Sequence, residues 1–413
     1  MSLIKKNHLA NAYLIRKSLF LFPLVLLSMN FCIAQQAVRD SLKTELNRLK
    51  PHLQSTLQDS SYINTLCDLA FAMRFYKRDS LLTLAEEAFN QSETVGYTNG
   101  AIIAQIGVGD YYSDQGIHDQ GILYYSKALD AAQSLSNDNL ILYAENRLAG
   151  EYEYKGDYAM ALQEMLKGIE IAEKSNDKER LSIFNENIAL LYANQKDYDE
   201  AINYLKISKK LNEKINNEVY SARTNANMAS VYADAHLYDY AMFSVNQSIA
   251  TFEKHSIMEW LAFAYETKGK TYLRQGKYKW ASYWYNQSEM LHDKSVDDER
   301  GKIDLLKGLA ETNLELQKDS VSEAYAQEAL ELSNKLKVKE GIKDASKTLY
   351  KIYKKKKDYV KALAYHELFE QLSDTLARNE GKKSLLMLKT RVRHEKQKED
   401  LISANEMALA VQK

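Results

Sequence analysis

The sequence predicts an all-α solenoid, and three observations carry the prediction. A tyrosine recurs every 40 residues, at Tyr112, Tyr152, Tyr192, Tyr232 and Tyr272. A small residue follows each by nine positions, at Gly121, Ala161, Ala201, Ala241 and Ala281. The 413-residue chain has only two prolines, Pro23 and Pro51, so no helix beyond residue 51 has to break for proline. A phase held this strictly means one supersecondary unit stacked on copies of itself. Such a chain needs no single large core, because each unit buries its apolar face on its neighbours.

Each unit reads as two helices. Within residues 182–213, Phe184, Ile188, Leu191 and Tyr192 keep helical spacing, and Asn194 to Asp197 make a polar turn. Tyr198, Ala201, Ile202, Leu205 and Ile207 follow on a second helix. Gly116, Gly156, Lys196, His236 and Gly276 share the turn position, where glycine suits the left-handed residue that ends a helix. His118, Tyr158, Tyr198, Tyr238 and Tyr278 share the next aromatic position. The small residue of the second helix lets the first approach closely, and the tyrosines fill the adjoining space. Tyr353 and Tyr359 take the two aromatic positions of the last unit and are expected inside with the others. Tyr154, Trp280 and Trp284 are not explained by this packing.

The run Ile188-Ala189-x-x-Tyr192, then Asp197-Tyr198-x-x-Ala201, then Leu205 resembles the tetratricopeptide repeat. Gly109, Ala149, Ala229 and Gly269 hold the small position of Ala189 in other units. That motif usually spans about 34 residues, so a 40-residue unit implies helices longer by a turn or extended loops. The motif's terminal proline is absent. The resemblance implies a right-handed superhelix of about eight helix pairs over residues 61–380. Residues 61–95 and 302–338 are degenerate units, and residues 342–378 lie one residue out of phase. Residues 35–60, with Val38, Leu42, Leu46 and Leu49, are expected to form an N-terminal capping helix, and residues 381–413 an extended charged helix.

The amino terminus has the pattern of an export signal. Lys5, Lys6, Arg16 and Lys17 precede the apolar run Leu19 to Leu27, and Cys32-Ile33-Ala34 closes the segment. Cleavage after Ala34 would place the chain in the periplasm or cell envelope. It would remove four basic residues and no acidic one, leaving an acidic excess. Bulky Phe31 before Cys32 argues against lipid attachment. Cys67 would remain alone, in an apolar helical pattern, so no internal disulfide is expected. Membrane association would require a partner or an uncleaved signal.

The formal charge of −1 gives no reason to expect a nucleic-acid partner. The sequence has no phosphate-cradling glycine loop, nucleophile elbow or paired cysteines, and His366-Glu367 lacks the second histidine of a zinc-protease helix. His394-Glu395 is not continued as a phospho-accepting motif. The expectation is a binding protein without enzymatic activity, cofactor or metal, taking a protein or peptide on its concave face. In tetratricopeptide arrays that face comes from the first helix of each pair. Helical spacing maps onto it Asp110, Asp114, Glu153, Tyr154, Glu186, Asn194, Arg223 and Asp234. Further along come Lys270, Arg274, Lys347, Lys351, Lys354 and Lys355, so the groove would grade from acidic to basic.

Leu385, Leu388 and Val392 form a short apolar stripe on the terminal helix, a seam for a homodimeric coiled coil that fades beyond Val392. An export signal, a cap, 40-residue repeats and a charged helix together resemble the extracytoplasmic sensor half of bacterial membrane histidine kinases and helix-turn-helix regulators. The sequence runs to Lys413 without an output domain, so kinase and DNA-binding activities are not carried over. The alternative role is a sensor component acting through its terminal helix on a membrane kinase or regulator.

Overall fold

Why the chain repeats is visible in its turns. A computed structural model describes residues 38–49, 56–74, 77–295 and 299–411, so the expected signal at 1–34 lies outside the described residues. Backbone φ is positive at Gly96, Gly116, Ser136, Gly156, Asn176, Lys196, Asn216, His236, Ser256 and Gly276. These positions are 20 residues apart, and Gln317, Lys337 and Lys357 resume the spacing. Each 40-residue unit is therefore two helices of nearly equal length joined by one kind of turn. Glycine removes the strain of a positive φ at four of these positions; elsewhere a polar residue tolerates it. Asn137, Asp157, Asp177, Asp197 and Asn217, the residues after these turns, accept a hydrogen bond from the backbone N–H three residues on, capping the next helix.

Helix α1 (38–49) is followed by eight pairs. They are α2 (Thr56–Met73) with α3 (Arg78–Val95), α4 (Thr98–Asp114) with α5 (His118–Ser134), and α6 (Asp138–Lys155) with α7 (Tyr158–Lys174). Next come α8 (Lys178–Asn194) with α9 (Tyr198–Lys214), α10 (Glu218–Asp234) with α11 (Tyr238–His255), and α12 (Met258–Arg274) with α13 (Tyr278–Ser295). The last are α14 (Glu299–Glu315) with α15 (Asp319–Lys335) and α16 (Lys339–Lys355) with α17 (Tyr359–Val411). Among the described residues every regular element is a helix, and none is long and apolar enough to cross a membrane. Each helix packs on its successor, and first helices of adjacent pairs also touch. That is a solenoid. The 40-residue period comes from longer helices, with repeat helices of 17–18 residues, rather than from extended loops.

The small positions do what the sequence implied. Ala161, Ala201, Ala241 and Ala281 have no exposed surface, and a side chain on Gly109 or Gly269 would run into Tyr125 or Tyr285. A further small position was not read from the sequence: Ala128, Gly168, Ser208, Ser248 and Ser288 are again 40 residues apart and buried. There Ser248 and Ser288 donate to the carbonyls of Ala222 and Ala262, on the first helix of their own pair, at 2.9 Å, whereas Gly168 lies against Phe184 of the following pair. Tyr192, Tyr232 and Tyr353 are buried as expected, whereas Tyr359 is 66% exposed. That correction has a simple cause, since α17 runs past Tyr359 and no further pair covers it. Cys67 is buried among Leu66, Leu69 and Met73, where burial pushes its thiol up to about 12 and makes it a poor nucleophile.

Leu46 and Leu49 of α1 pack on the core of α2, while Val38 at the helix start is exposed. At the other end α17 is both the second helix of the last pair and the extended helix. It continues unbroken for 53 residues and comes to lie on α7. The docked side carries Met387 and Thr390, while Leu388 and Val392 of the expected coiled-coil seam are 51% and 53% exposed.

Candidate binding groove

First helices present polar residues in the same register to one another, so the inner surface is a ladder with rungs about 40 residues apart. Asn187 bonds Asn146 at 2.6 Å, Asn194 bonds Glu153 at 2.9 Å, and Asn227 bonds Glu186 at 2.6 Å. Lys270 pairs with Asp234 at 2.9 Å and donates to Ser230 at 2.8 Å. The mapped residues lie at different depths.

The amino-terminal rungs are closed. Asp110 is fully buried, 2.9 Å from Arg74 and 3.4 Å from Arg147, and accepts from the Tyr125 hydroxyl at 2.6 Å. Asp114 holds the same Arg74 through both carboxylate oxygens. Burial disfavours the guanidinium charge, and the carboxylates of Asp110 and Asp114 outweigh it and hold Arg74 charged. Burial, reinforced by Asp110, keeps the Tyr125 phenol protonated. Glu186 is likewise 2% exposed, paired with Arg223 at 2.8 Å, and Arg223 lies over the Tyr220 ring. Asp110 and Glu186 are therefore not ligand-facing groups, a correction to the mapping. Their partners come from neighbouring helices and seal the space between rungs, which helical spacing alone cannot show.

Glu153 and Tyr154 take part in a closure across the solenoid. The Arg300 guanidinium sits 4.0 Å from the Tyr154 ring centroid. Burial pushes Glu153 up to about 7, opposed by the nearby Arg300 charge and the Asn194 hydrogen bond. At a second point of this seam Gly116 lies against the Leu336 backbone, where a side chain would come within 3.4 Å of its carbonyl oxygen.

The carboxy-terminal rungs are open. A cavity of about 450 Å3 is bounded by Asn194, Asp234, Lys270, Arg274, Lys347 and Lys351 among others. Asp304, Lys307, Glu311 and Asp344 share this lining and were missed by the sequence reading, which treated residues 302–338 as degenerate. The available signal was the 40-residue spacing of Asp304 with Asp344, Lys307 with Lys347 and Glu311 with Lys351. Lys307 bridges Asp304 at 2.8 Å and Asp344 at 3.0 Å; burial works against its charge, and the two carboxylates outweigh it. Among the described residues Arg274, Lys347 and Lys351 form no ion pair, although Lys347 approaches the Phe369 ring. Lys354 and Lys355 lie outside the cavity lining. Lys354 reaches the Tyr350 hydroxyl, and Lys355 pairs with Asp319 at 2.8 Å. The structure thus brings six of the mapped residues together around one mixed-charge cavity, whose lining carries five acidic and five basic side chains. The arrangement can complement an extended polar chain bearing a negative group.

No family model matches the chain, and no curated protein matches it. Solved structures do. A Rap protein complexed with competence and sporulation factor superposes with a TM-score of 0.58 at 14% identity, over 83% of this chain and 99% of that one. Aspartyl phosphate phosphatase F from Bacillus subtilis gives 0.55 at 18% identity, over 83% and 90%. A signal-transduction ATPase with a tetratricopeptide repeat sensor from Pyrococcus horikoshii gives 0.50 at 12% identity, over 84% of this chain and 55% of that one. At these identities the likeness is one of fold alone. What the chain shares with these proteins is a solenoid of tetratricopeptide-type helix pairs.

Proposed function

We propose that the chain is an exported, non-enzymatic scaffold that binds a protein or peptide along the inner face of its carboxy-terminal repeats. The observation that carries this reading is the open cavity lined by Arg274, Lys347 and Lys351, which form no ion pair among the described residues. An extended segment ending in or displaying a carboxylate would meet those cations, while the rungs built on Asp234, Lys270, Lys307 and Asp344 would meet its backbone amides. The likeness to a Rap protein solved with competence and sporulation factor supports the reading at the level of fold. Export rests on the basic, apolar and small-residue order of residues 5–34. Mass spectrometry of the native protein tests it, since a mature chain must begin at Gln35.

The binding test is in-cell photocrosslinking with the reactive side chain at position 351, which faces the cavity, and a control at Lys210 on the exposed side of α9. A discrete partner captured at 351 and lost in a Lys347→Glu chain is the expected result. Equal capture at both positions removes the groove reading.

A second reading, a sensor component signalling through the terminal helix, is favoured by one observation. Helix α17 is continuous with the last repeat and also touches repeats more than 180 residues earlier, as in the Ser384–Gln195 bond, whose partners lie 189 residues apart. Movement of the last repeat is thereby linked to the helix that would reach a membrane partner.

A further inference from the structure

Helix α17 is fastened to the molecule twice. Its first half is packed into the last pair, where Ala362 is buried and Tyr365 stacks on Tyr353 at 5.6 Å. Its second half lies on α7 and the start of α9, five repeats back along the chain. Met387 is 2% exposed in a cluster with Leu162, Leu166 and Tyr192. Arg391 is 3.1 Å from Glu200 and 3.5 Å from the Tyr192 hydroxyl; those two groups hold it charged. Ser384 bonds Gln195 at 2.9 Å, Arg393 bonds Gln163 at 3.3 Å, and His394 meets Glu170 at 2.8 Å.

A solenoid is soft in curvature, because each pair touches only its neighbours and small rotations add along the array. A helix is stiff over the same distance. A rod anchored in the last pair and on α7 to α9 therefore sets the span of the arc between them. That arc encloses the cavity and closes at the seam of Tyr154 with Arg300 and Gly116 with Leu336. The distal contacts are mostly charged or polar, with Met387 as the buried apolar anchor, so they are releasable.

We propose that residues 384–394 are a strap that holds the solenoid arc closed, and that undocking the strap opens the seam and widens the groove. The opening is a property of the chain itself; only its consequence for ligand entry rests on the groove reading above. By linkage, whatever binds the open arc better releases the strap, and whatever captures the strap opens the arc.

The test uses the full chain carrying Cys32→Ser, with spin labels at Gln120→Cys and Lys339→Cys on either side of the seam and no ligand. Arg391→Glu faces Glu200 with a like charge. Amide exchange across residues 384–396 should accelerate about tenfold or more, as for a segment released to local opening. The label-to-label distance should lengthen and broaden, and adding Glu200→Arg should restore both. Should Arg391→Glu leave the strap protected, Met387→Glu is the stronger perturbation, and continued protection there overturns the docking. A strap that exchanges freely while the seam distance stays unchanged overturns the coupling. Neither readout depends on a ligand, so failure here is distinct from failure of crosslinking at position 351.

Discussion

Two glycines in helix interiors should respond oppositely to the same substitution. Gly168 in α7 and Gly150 in α6 both carry the helix penalty of glycine, and alanine relieves it by about 0.8–1 kcal/mol. At Gly150 nothing lies within 4 Å of the added methyl, so Gly150→Ala should stabilise by roughly that amount. At Gly168 the methyl would fall 2.6 Å from Phe184 Cε1 and from Cε2, and closer still to Cζ. Ordinary carbon contacts are about 3.5–4.0 Å, so the ring must retreat by roughly 1 Å. Phe184 has no exposed surface, and Ile188, Ala189 and Leu191 around it are equally buried, so it has nowhere to go without moving α8. Overpacking of this kind costs about 1–3 kcal/mol, and the tightness of the site argues for the upper half. The net expectation for Gly168→Ala is destabilisation by about 1–2 kcal/mol, which places the two variants about 2–3 kcal/mol apart. Urea unfolding followed by circular dichroism at unchanged slope reads the difference. Amide exchange in α7 localises it. Gly168→Ala proving as stable as Gly150→Ala would refute the close approach of α7 and α8 on which the stacking register depends.

Burial, with a contribution from the Glu164 charge and opposition from Lys167, pushes Glu145 up to about 8 from 4.5. The folded state therefore holds this proton more tightly than the unfolded one. The associated stability is complete below pH 4.5 and is lost as pH rises through about 8, at up to about 1.4 kcal/mol per pH unit from this group. Glu145→Gln should match the parent near pH 4.5 and exceed it at pH 8; denaturation midpoints at the two values check the sign. Ala241 is fully buried at the contact of α10 with α11, so Ala241→Arg should cost about 3 kcal/mol or more by overpacking and burying a charge. A melting temperature equal to the parent's would show that the pairing register is wrong.

How far the fold was legible follows from how local its cause is. Tyr192, Ala201 and their counterparts report contacts within one unit or to the next, so a 40-residue phase writes them directly into the sequence. The 20-residue half-period was harder to see. Its left-handed turn residues are glycine at Gly96, Gly116, Gly156 and Gly276 but lysine, histidine, serine, asparagine or glutamine elsewhere, and only the backbone angle shows their equivalence. The rungs at Asp304, Lys307 and Asp344 were written at the same spacing, but in a unit whose aromatic landmarks had decayed.

By itself, then, the sequence determined the helix pairs, their small contact residues and the side of each first helix that turns inward. All of these depend on periodicities of 3.6 and 40 residues. The tertiary structure alone decided which inward residues remain open. Asp110 and Glu186 disappear beneath Arg74 and Arg223 from adjoining helices, whereas Arg274 and Lys351 stay at the cavity wall. It also decided where α17 comes to rest, because Arg393 and Gln163 are 230 residues apart. A contact made by the accumulated curvature of many repeats leaves no period in the chain that makes it.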